Sequence, residues 1–377
     1  MPDDLNFALQ AWRHHLHAHP ELSCHEAGTA AYVRAQLGAL GVPHWGGIGG
    51  HGVVGVIERG GAARAVGLRA DMDALPILEA TGLGHASRNQ GVMHACGHDG
   101  HTASLLGAAR LLVADESWAG RVVLVFQPAE EGFGGAEAML KDGLLTRFPM
   151  ERIFGYHNWP GLAAGEVMLH DGPCMAGAVN FEASFTGRAA HAAMPQFSAD
   201  PVQGLAQFIL ALNAVPARNL DPLEAGVISA CTLKGGEARN QIPQSATVGG
   251  TMRALKPGVM ALLKRRVGEL AEGVAAANGL EAAVVLSGGL EPTINHAPEA
   301  DLAAKAARAA GLVVRRDLPP TMAAEDFGRF LAEIPGAYAW IGNGPSAPLH
   351  NPAYDYNDEI LPVAARYYLA VAKAALS

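Results

Sequence analysis

Residues 121–131 read RVVLVFQPAEE, and the fold turns on this stretch. Residues 121–126 are an unbroken β-branched and aromatic run, the pattern of a strand buried on both faces. Two adjacent carboxylates, Glu130 and Glu131, follow within five residues. The same arrangement recurs on either side. The run at 65–68 is followed by Asp71 and Asp73, the run IFGY at 153–156 by His157, and the run at 337–341, a little later, by His350. Residues 5–16, 26–40 and 102–113 carry apolar side chains at helical spacing between these runs. Strands alternating with helices predict an α/β domain with a mixed, largely parallel sheet. Ligands of such sheets bind outside the carboxyl ends of the strands. The acidic and imidazole side chains are therefore expected to meet at one edge.

The middle of the chain has another rhythm. Val179, Phe181, Ala183 and Phe185 alternate with polar neighbours, as in a half-buried strand. A helical stretch at 201–215, strand-like runs at 226–233 and 247–254, a long helical stretch at 257–278 and a last strand at 282–287 follow. The order β-α-β-β-α-β is that of a ferredoxin-like unit. We expect an α+β domain at 179–293 inserted into an α/β domain formed by 1–178 and 294–377. The length of 377 residues suits two domains.

Composition removes several classes of function. Half the residues are hydrophobic, which speaks against disorder. The net charge of -9, with Lys264-Arg265-Arg266 as the longest basic run, leaves no basic stripe for nucleic acid. No stretch of membrane-spanning length is apolar throughout. The start Met1-Pro2-Asp3-Asp4 lacks the positive charge and apolar block of a secretory signal. Cys24, Cys96, Cys174 and Cys231 form no CxxC pair. They read as reduced thiols of a cytoplasmic protein. Gly47-Ile48-Gly49-Gly50-His51-Gly52 fits GxGxxG, but a strand pattern follows it where a dinucleotide site needs a helix. No GxSxG elbow, HExxH pair or Walker loop is present.

The segment Met93-His94-Ala95-Cys96-Gly97-His98-Asp99-Gly100-His101 adds sulfur and nitrogen donors next to a helix. A lone histidine after a strand is usually a core or surface residue, and paired glutamates are usually solvated. Three histidines and a cysteine within eight residues point instead to a metal. Thiolate, imidazole and carboxylate together suit zinc, cobalt, manganese or nickel, whereas calcium and magnesium favour oxygen-only sites. Asp99 has a second reading as the N-cap of the helix, and His101 as a residue that only packs on it.

With these residues in place, the chain resembles the aminoacylase and carboxypeptidase superfamily of dinuclear metallohydrolases. It is similar to the branch of hippurate hydrolases, N-acyl-L-amino-acid amidohydrolases and plant auxin-conjugate hydrolases. The motifs run nearly end to end: LHAHPELSCHE from Leu16, GLRADMDALPI from Gly67, MHACGHDGHTA from Met93, FQPAEEGFGGA from Phe126 and YHNWP from Tyr156. GRAAHAAMP from Gly187, GGEARNQIP from Gly235, GTMRAL from Gly250, AAEDFG from Ala323 and LHNPAYDYND from Leu349 complete the series.

The resemblance implies two divalent metal ions (Mn, Zn, Co or Ni) held by Cys96, His98, Glu131, His157 and His350. It implies Glu130 as general acid and base, and Asp73 behind a ligand. Asp71 stands where other branches place a histidine ligand, and Cys96 supplies what that histidine would. The inserted domain would be a lid that also forms a homodimer or higher oligomer. His191, Asn240 and Arg253 of that domain would bind substrate, with His191 acting from its own or a partner subunit. Two departures stand out: Gln244 replaces a common Asp, and Ala189-Ala190 replace common glycines. The implied reaction is hydrolysis of the amide of a small N-acyl amino acid. The alternatives are a dipeptidase or carboxypeptidase of the same superfamily, and a binding protein that has lost catalysis.

Overall fold

The computed structural model describes residues 2–61, 64–132 and 134–377. Met1 of the acidic start and Phe133 of the FQPAEEGFGGA motif lie outside the described residues. The chain forms two compact units. The first holds Met1–Cys174, Thr293–Pro319 and Asp326–Ser377; the second holds Met175–Pro292 and Pro320–Glu325.

The first unit is built on an eight-stranded mixed sheet. Its strands run in the order His44–Ile48, Gly52–Arg59, Gly120–Gln127, Ala65–Asp71, Arg152–Pro160, Gly336–Gly344, Val167–Leu169 and Val314–Arg315. The four from Gly120–Gln127 to Gly336–Gly344 are mutually parallel, and antiparallel pairs flank them. These four are nearly continuous apolar runs because they are covered on both faces, and their residues are almost all buried. Helices His98–Ala114 and Leu361–Leu376 pack against strand Ala65–Asp71. The core there is completed by Leu105, Leu106, Tyr156, Tyr356, Tyr368 and Val371.

The register fixes the height of the functional groups. Asp71 pairs with Gln127 on one side, and Arg69 with Gly155 on the other. Two residues past Gly155 comes His157, which pairs with Trp340. One row across the parallel strands therefore carries Asp71, Gln127, His157 and Trp340. His157 was expected just after its strand; it lies inside it, because the strand continues to Pro160. Helix His98–Ala114 begins four residues before the expected start, so His98, Asp99 and His101 occupy its first turn. Its N-cap is Gly97 at φ +93°, and a Cβ there would sit 2.4 Å from Asn158 Oδ1. Asp99 does not cap this helix.

The second unit is an antiparallel sheet in the order Glu281–Leu290, Pro173–Thr186, Ser245–Ala254, Gly226–Gly235. Helices Pro201–Leu212 and Pro257–Asn278 complete the β-α-β-β-α-β order of a ferredoxin-like unit. Val179, Phe181, Ala183 and Phe185 are buried against Leu205, Phe208, Leu263 and Val267. The limits expected at 178/179 and 293/294 lie within a few residues of Met175–Pro292 but leave out a further piece, Pro320–Glu325. It joins this unit because strand Thr321–Ala324 pairs in parallel with Pro173–Thr186, a long-range pairing that no local periodicity signals.

Candidate metal centre

Strand Gly120–Gln127 leads into Pro128 and Ala129, and at Ala129 the backbone turns to φ +55°. That left-handed step is costly for any residue with a Cβ. Gly132 follows at φ +84°. An extended chain would send Glu130 and Glu131 to opposite faces; with the bend, a carboxylate oxygen of each lies within 4.8 Å of the other and of a His98 nitrogen. Glu130 is buried and accepts a hydrogen bond from Asp326 N at 3.3 Å. Glu131 turns towards the histidines: its Oε1 is 3.3 Å from His350 Nε2 and 4.0 Å from His98 Nε2.

The five expected ligands come together. Cys96, His98 and His157 offer donor atoms within 4.8 Å of one another, and so do Cys96, Glu131 and His350. Cys96 is common to both groups, and its Sγ lies 3.3 Å from His157 Nε2. His98 and His157 each have one nitrogen held and the other turned to the cluster. His98 Nδ1 meets Asp73 O at 3.0 Å and Asp73 Oδ1 at 3.3 Å; His157 Nδ1 donates to Asn158 O at 2.7 Å. This arrangement fixes the tautomer of a metal-ligating imidazole. His98 Nε2 and Glu131 Oε1 are buried and have no hydrogen-bond partner among the described residues, Oε1 having ion-pair contacts with His350 and His98. Buried polar atoms of this kind ordinarily have partners, so these two fit a metal ion.

Asp73 is itself held. Its Oδ2 accepts from Ser23 Oγ at 2.6 Å and from Glu131 N at 3.0 Å. Asp71 is committed elsewhere: Oδ1 meets His101 Nδ1 at 2.5 Å and Oδ2 accepts from Arg69 at 2.7 Å. Arg69 also donates to Asp326 at 2.9 Å and to Gln127 at 2.8 Å. Asp71, His98 and His101 nevertheless form a further cluster of possible ligand atoms. His101 does more than pack, since its Nε2 contacts Asn158. Asp99 pairs with His17 at 2.8 Å.

Electrostatics follow from burial and four nearby carboxylates. Burial opposes protonation of His98, but Asp71, Asp73 and Glu131 override it and push the imidazole up to about 10. Burial and Glu131, Glu130 and Asp71 hold the Cys96 thiol well above its ordinary value. Burial and the neighbouring His101 hold His157 well below the usual histidine range. Burial would raise Asp71, yet His98, His101 and Arg69 keep its carboxyl far below the usual range.

His191, Asn240 and Arg253 all lie in the second unit. His191 pairs with Gln241 in a two-residue ladder, and Ala192 N donates to Asn240 O at 3.0 Å, so His191 and Asn240 are neighbours. Arg253 is paired with Ala178 and Val227 near the other end of strand Ser245–Ala254. Gln244 bridges both sides of the hairpin base: its amide donates to Gly187 O and accepts from Ala189 N. The departures at Gln244 and Ala189 are thus in direct contact.

Arg69, His101, Asn158, Asp326, Ser23 and Glu26 had not been assigned site roles. A charged Arg69 inside an otherwise apolar strand run was the available signal for one of them. The others act through contacts distant in sequence.

Residues 67–374 match the model of peptidase family M20/M25/M40. The hippurate hydrolase of Campylobacter jejuni is 38% identical over 98% of this chain and 97% of its own length. The N-acetyl-L-cysteine deacetylase of Bacillus subtilis is 39% identical over 95% of this chain and 85% of its own. A Bacillus subtilis crystal structure, described as a dinuclear metal-binding peptidase of the M20 family, superposes with a TM-score of 0.89 at 32% identity, covering 99% of both chains.

Proposed function

Because this chain belongs to peptidase family M20/M25/M40, we propose that its donor cluster holds two divalent metal ions and hydrolyses the amide bond of N-acyl amino acids. The products are a carboxylic acid and a free amino acid. The observation that carries the reading is the pair of donor groups sharing Cys96 beside a buried Glu130. Cys96, His98, Glu131, His157 and His350 would hold the metals, and the mixed sulfur, nitrogen and oxygen donors suit Mn, Zn, Co or Ni. Bound divalent ions supply positive charge that polarises the scissile carbonyl and acidifies water.

The protein's own groups do the rest. Glu130 takes the proton of the attacking water as its oxygen bonds to the carbonyl carbon. It delivers that proton to the nitrogen as the C–N bond breaks. Asp73 keeps His98 in the tautomer that leaves Nε2 free. Arg253 binds the α-carboxylate as a bidentate partner. Asn240 adds a directional hydrogen bond, and His191 stabilises the developing oxyanion.

The inserted unit is a lid and dimerisation domain in this reading. Its edge strand Gly226–Gly235, with exposed Val227 and Leu233, suits pairing with a second copy. His191 and Arg253 flank opposite ends of strand Ser245–Ala254, whose stretch from 245 to 253 spans about 27 Å at ~3.4 Å per residue. One small substrate cannot touch both ends, which favours His191 acting across the dimer. Four free cysteines suit a cytoplasmic location, and among the described residues no helix is long and apolar enough to cross a membrane.

The test is a substrate panel of N-acetyl, N-benzoyl and indole-acetyl amino acids beside unblocked dipeptides, run before and after dialysis against a chelator. Blocked substrates should be preferred, and activity should disappear with the metal and return with a divalent transition ion. Faster turnover of the dipeptides, or full activity in metal-free protein, would overturn the reading.

A further inference from the structure

The LHAHPELSCHE motif takes no part in the reaction as described, yet it runs directly behind the site. Leu22 bridges to Ala74, and Ala74 N donates to Glu21 O at 2.8 Å, which lays the motif alongside Asp73. Glu26 is the last residue before helix Ala27–Ala39 and occupies its N-cap position. An acidic side chain there would ordinarily accept from the first backbone amides of its own helix. Glu26 does not. Glu21 does that work, accepting from Gly28 N at 3.1 Å and from Thr29 N at 2.8 Å.

The Glu26 carboxylate is thereby free to turn inward. It is fully buried, and its Oε1 accepts from Cys24 N at 3.0 Å and from Ala129 N at 2.8 Å. Ala129 is the non-glycine residue at φ +55° that begins the bend between strand Gly120–Gln127 and the adjacent glutamates. The other side of the bend is tied by Glu131 N to Asp73 Oδ2, which Ser23 also binds. Glu26 thus holds one side of the turn directly, and Ser23 supports the other through Asp73.

We propose that Glu26 is a positioning residue for Glu130 and Glu131, holding Ala129 in its left-handed conformation so that one glutamate faces the metal donors while its neighbour serves as acid and base. The proposal rests on the reading of Glu130 and Glu131 given above. An alanine left without the clamp relaxes towards extended backbone, and both glutamates rotate away. A glycine at 129 occupies the left-handed region without cost, so it should make the clamp partly dispensable.

That prediction separates positioning from general support of the loop. Glu26→Ala should lower kcat and the calorimetric affinity for Mn2+ by roughly 10–100-fold, the range for groups that orient metal ligands, while KM changes little. Glu26→Gln keeps an acceptor oxygen and should stay within about threefold of wild type on both readings. Adding Ala129→Gly to Glu26→Ala should recover most of both losses, and thermal melting of the metal-free proteins checks that each is folded. If Glu26→Ala does not fold, Glu26→Asp, one methylene short of Ala129, replaces it in both comparisons. Wild-type kcat and Mn2+ affinity in Glu26→Ala would overturn the proposal. So would equal losses with and without Ala129→Gly. Near-normal turnover in Glu130→Gln would instead remove the assignment of the base, and the Mn2+ affinities would then judge the clamp through Glu131 alone.

Discussion

Glu130 and Glu131 are covalent neighbours with different surroundings, and their substitutions should separate cleanly. Glu130→Gln keeps shape and hydrogen bonding but removes the proposed base. Turnover should fall by about 10²–10⁴-fold with metal content near wild type, measured by steady-state kinetics and elemental analysis. Glu131→Gln should instead lose metal, because its Oε1 lies among the donors, 3.3 Å from His350 Nε2 and 4.0 Å from His98 Nε2. Comparable metal loss in both variants would show that the bend at Ala129 does not divide their roles. The donors themselves were legible in the sequence, because strand ends and the Met93–His101 segment concentrate them. Their supports were not. Arg69, buried between Asp71, Asp326 and Gln127, binds one oxygen of Asp71, while His101 meets the other. Partners up to 257 residues apart leave no trace in local spacing.

Helix Pro2–Ala18 is tied to the site through helix His98–Ala114. His17 Nδ1 lies 2.8 Å from Asp99 and its Nε2 3.3 Å from Glu79, with Arg13 3.5 Å from the same Asp99 oxygen. Burial opposes a charge on His17, but Asp99 and Glu79 push it up to about 9. A histidine bound more tightly to its proton in the folded state stabilises the fold fully below its unfolded value of about 6.5. That contribution, of order 3 kcal/mol, is lost as pH rises through about 9. His17→Gln should therefore destabilise the metal-free protein at about pH 6 and flatten the decline in stability between about pH 6.5 and 9. Denaturant unfolding across that range measures it, and parallel curves for wild type and variant would refute the coupling. Sequence periodicity found both helices but set the start of the second too late. Its first turn is polar and fully buried, so the hydrophobic spacing begins only at Thr102. Helix Leu361–Leu376 was not anticipated: its alanine-rich, tyrosine-containing sequence packs by close approach and by buried Tyr367 and Tyr368.

At the level of the whole molecule, the second unit was the more legible of the two. Alternation at Val179 to Phe185 and two helical stretches suffice for a ferredoxin-like order, since its four main strands pair antiparallel and one face is buried. What the order could not reveal is the distribution of His191 and Arg253 to opposite ends of one strand. If both serve the same substrate, they must come from different copies of the chain, and each active site is then completed by its partner. A mixing experiment decides this. Glu130→Gln and His191→Ala chains should each be nearly inactive as homodimers. Co-expressed in equal amounts, half the dimers are mixed, and in each the His191→Ala chain keeps its own Glu130 and receives an intact His191 from its partner. About a quarter of the wild-type activity per chain should return, as two-fold symmetry requires when one site of each mixed dimer is whole. Activity in the mixture no greater than the average of the two homodimers would place His191 in its own chain's site. The assignment of Arg253 to the same substrate would then have to be abandoned, because a rigid strand cannot bring both of its ends to one small molecule.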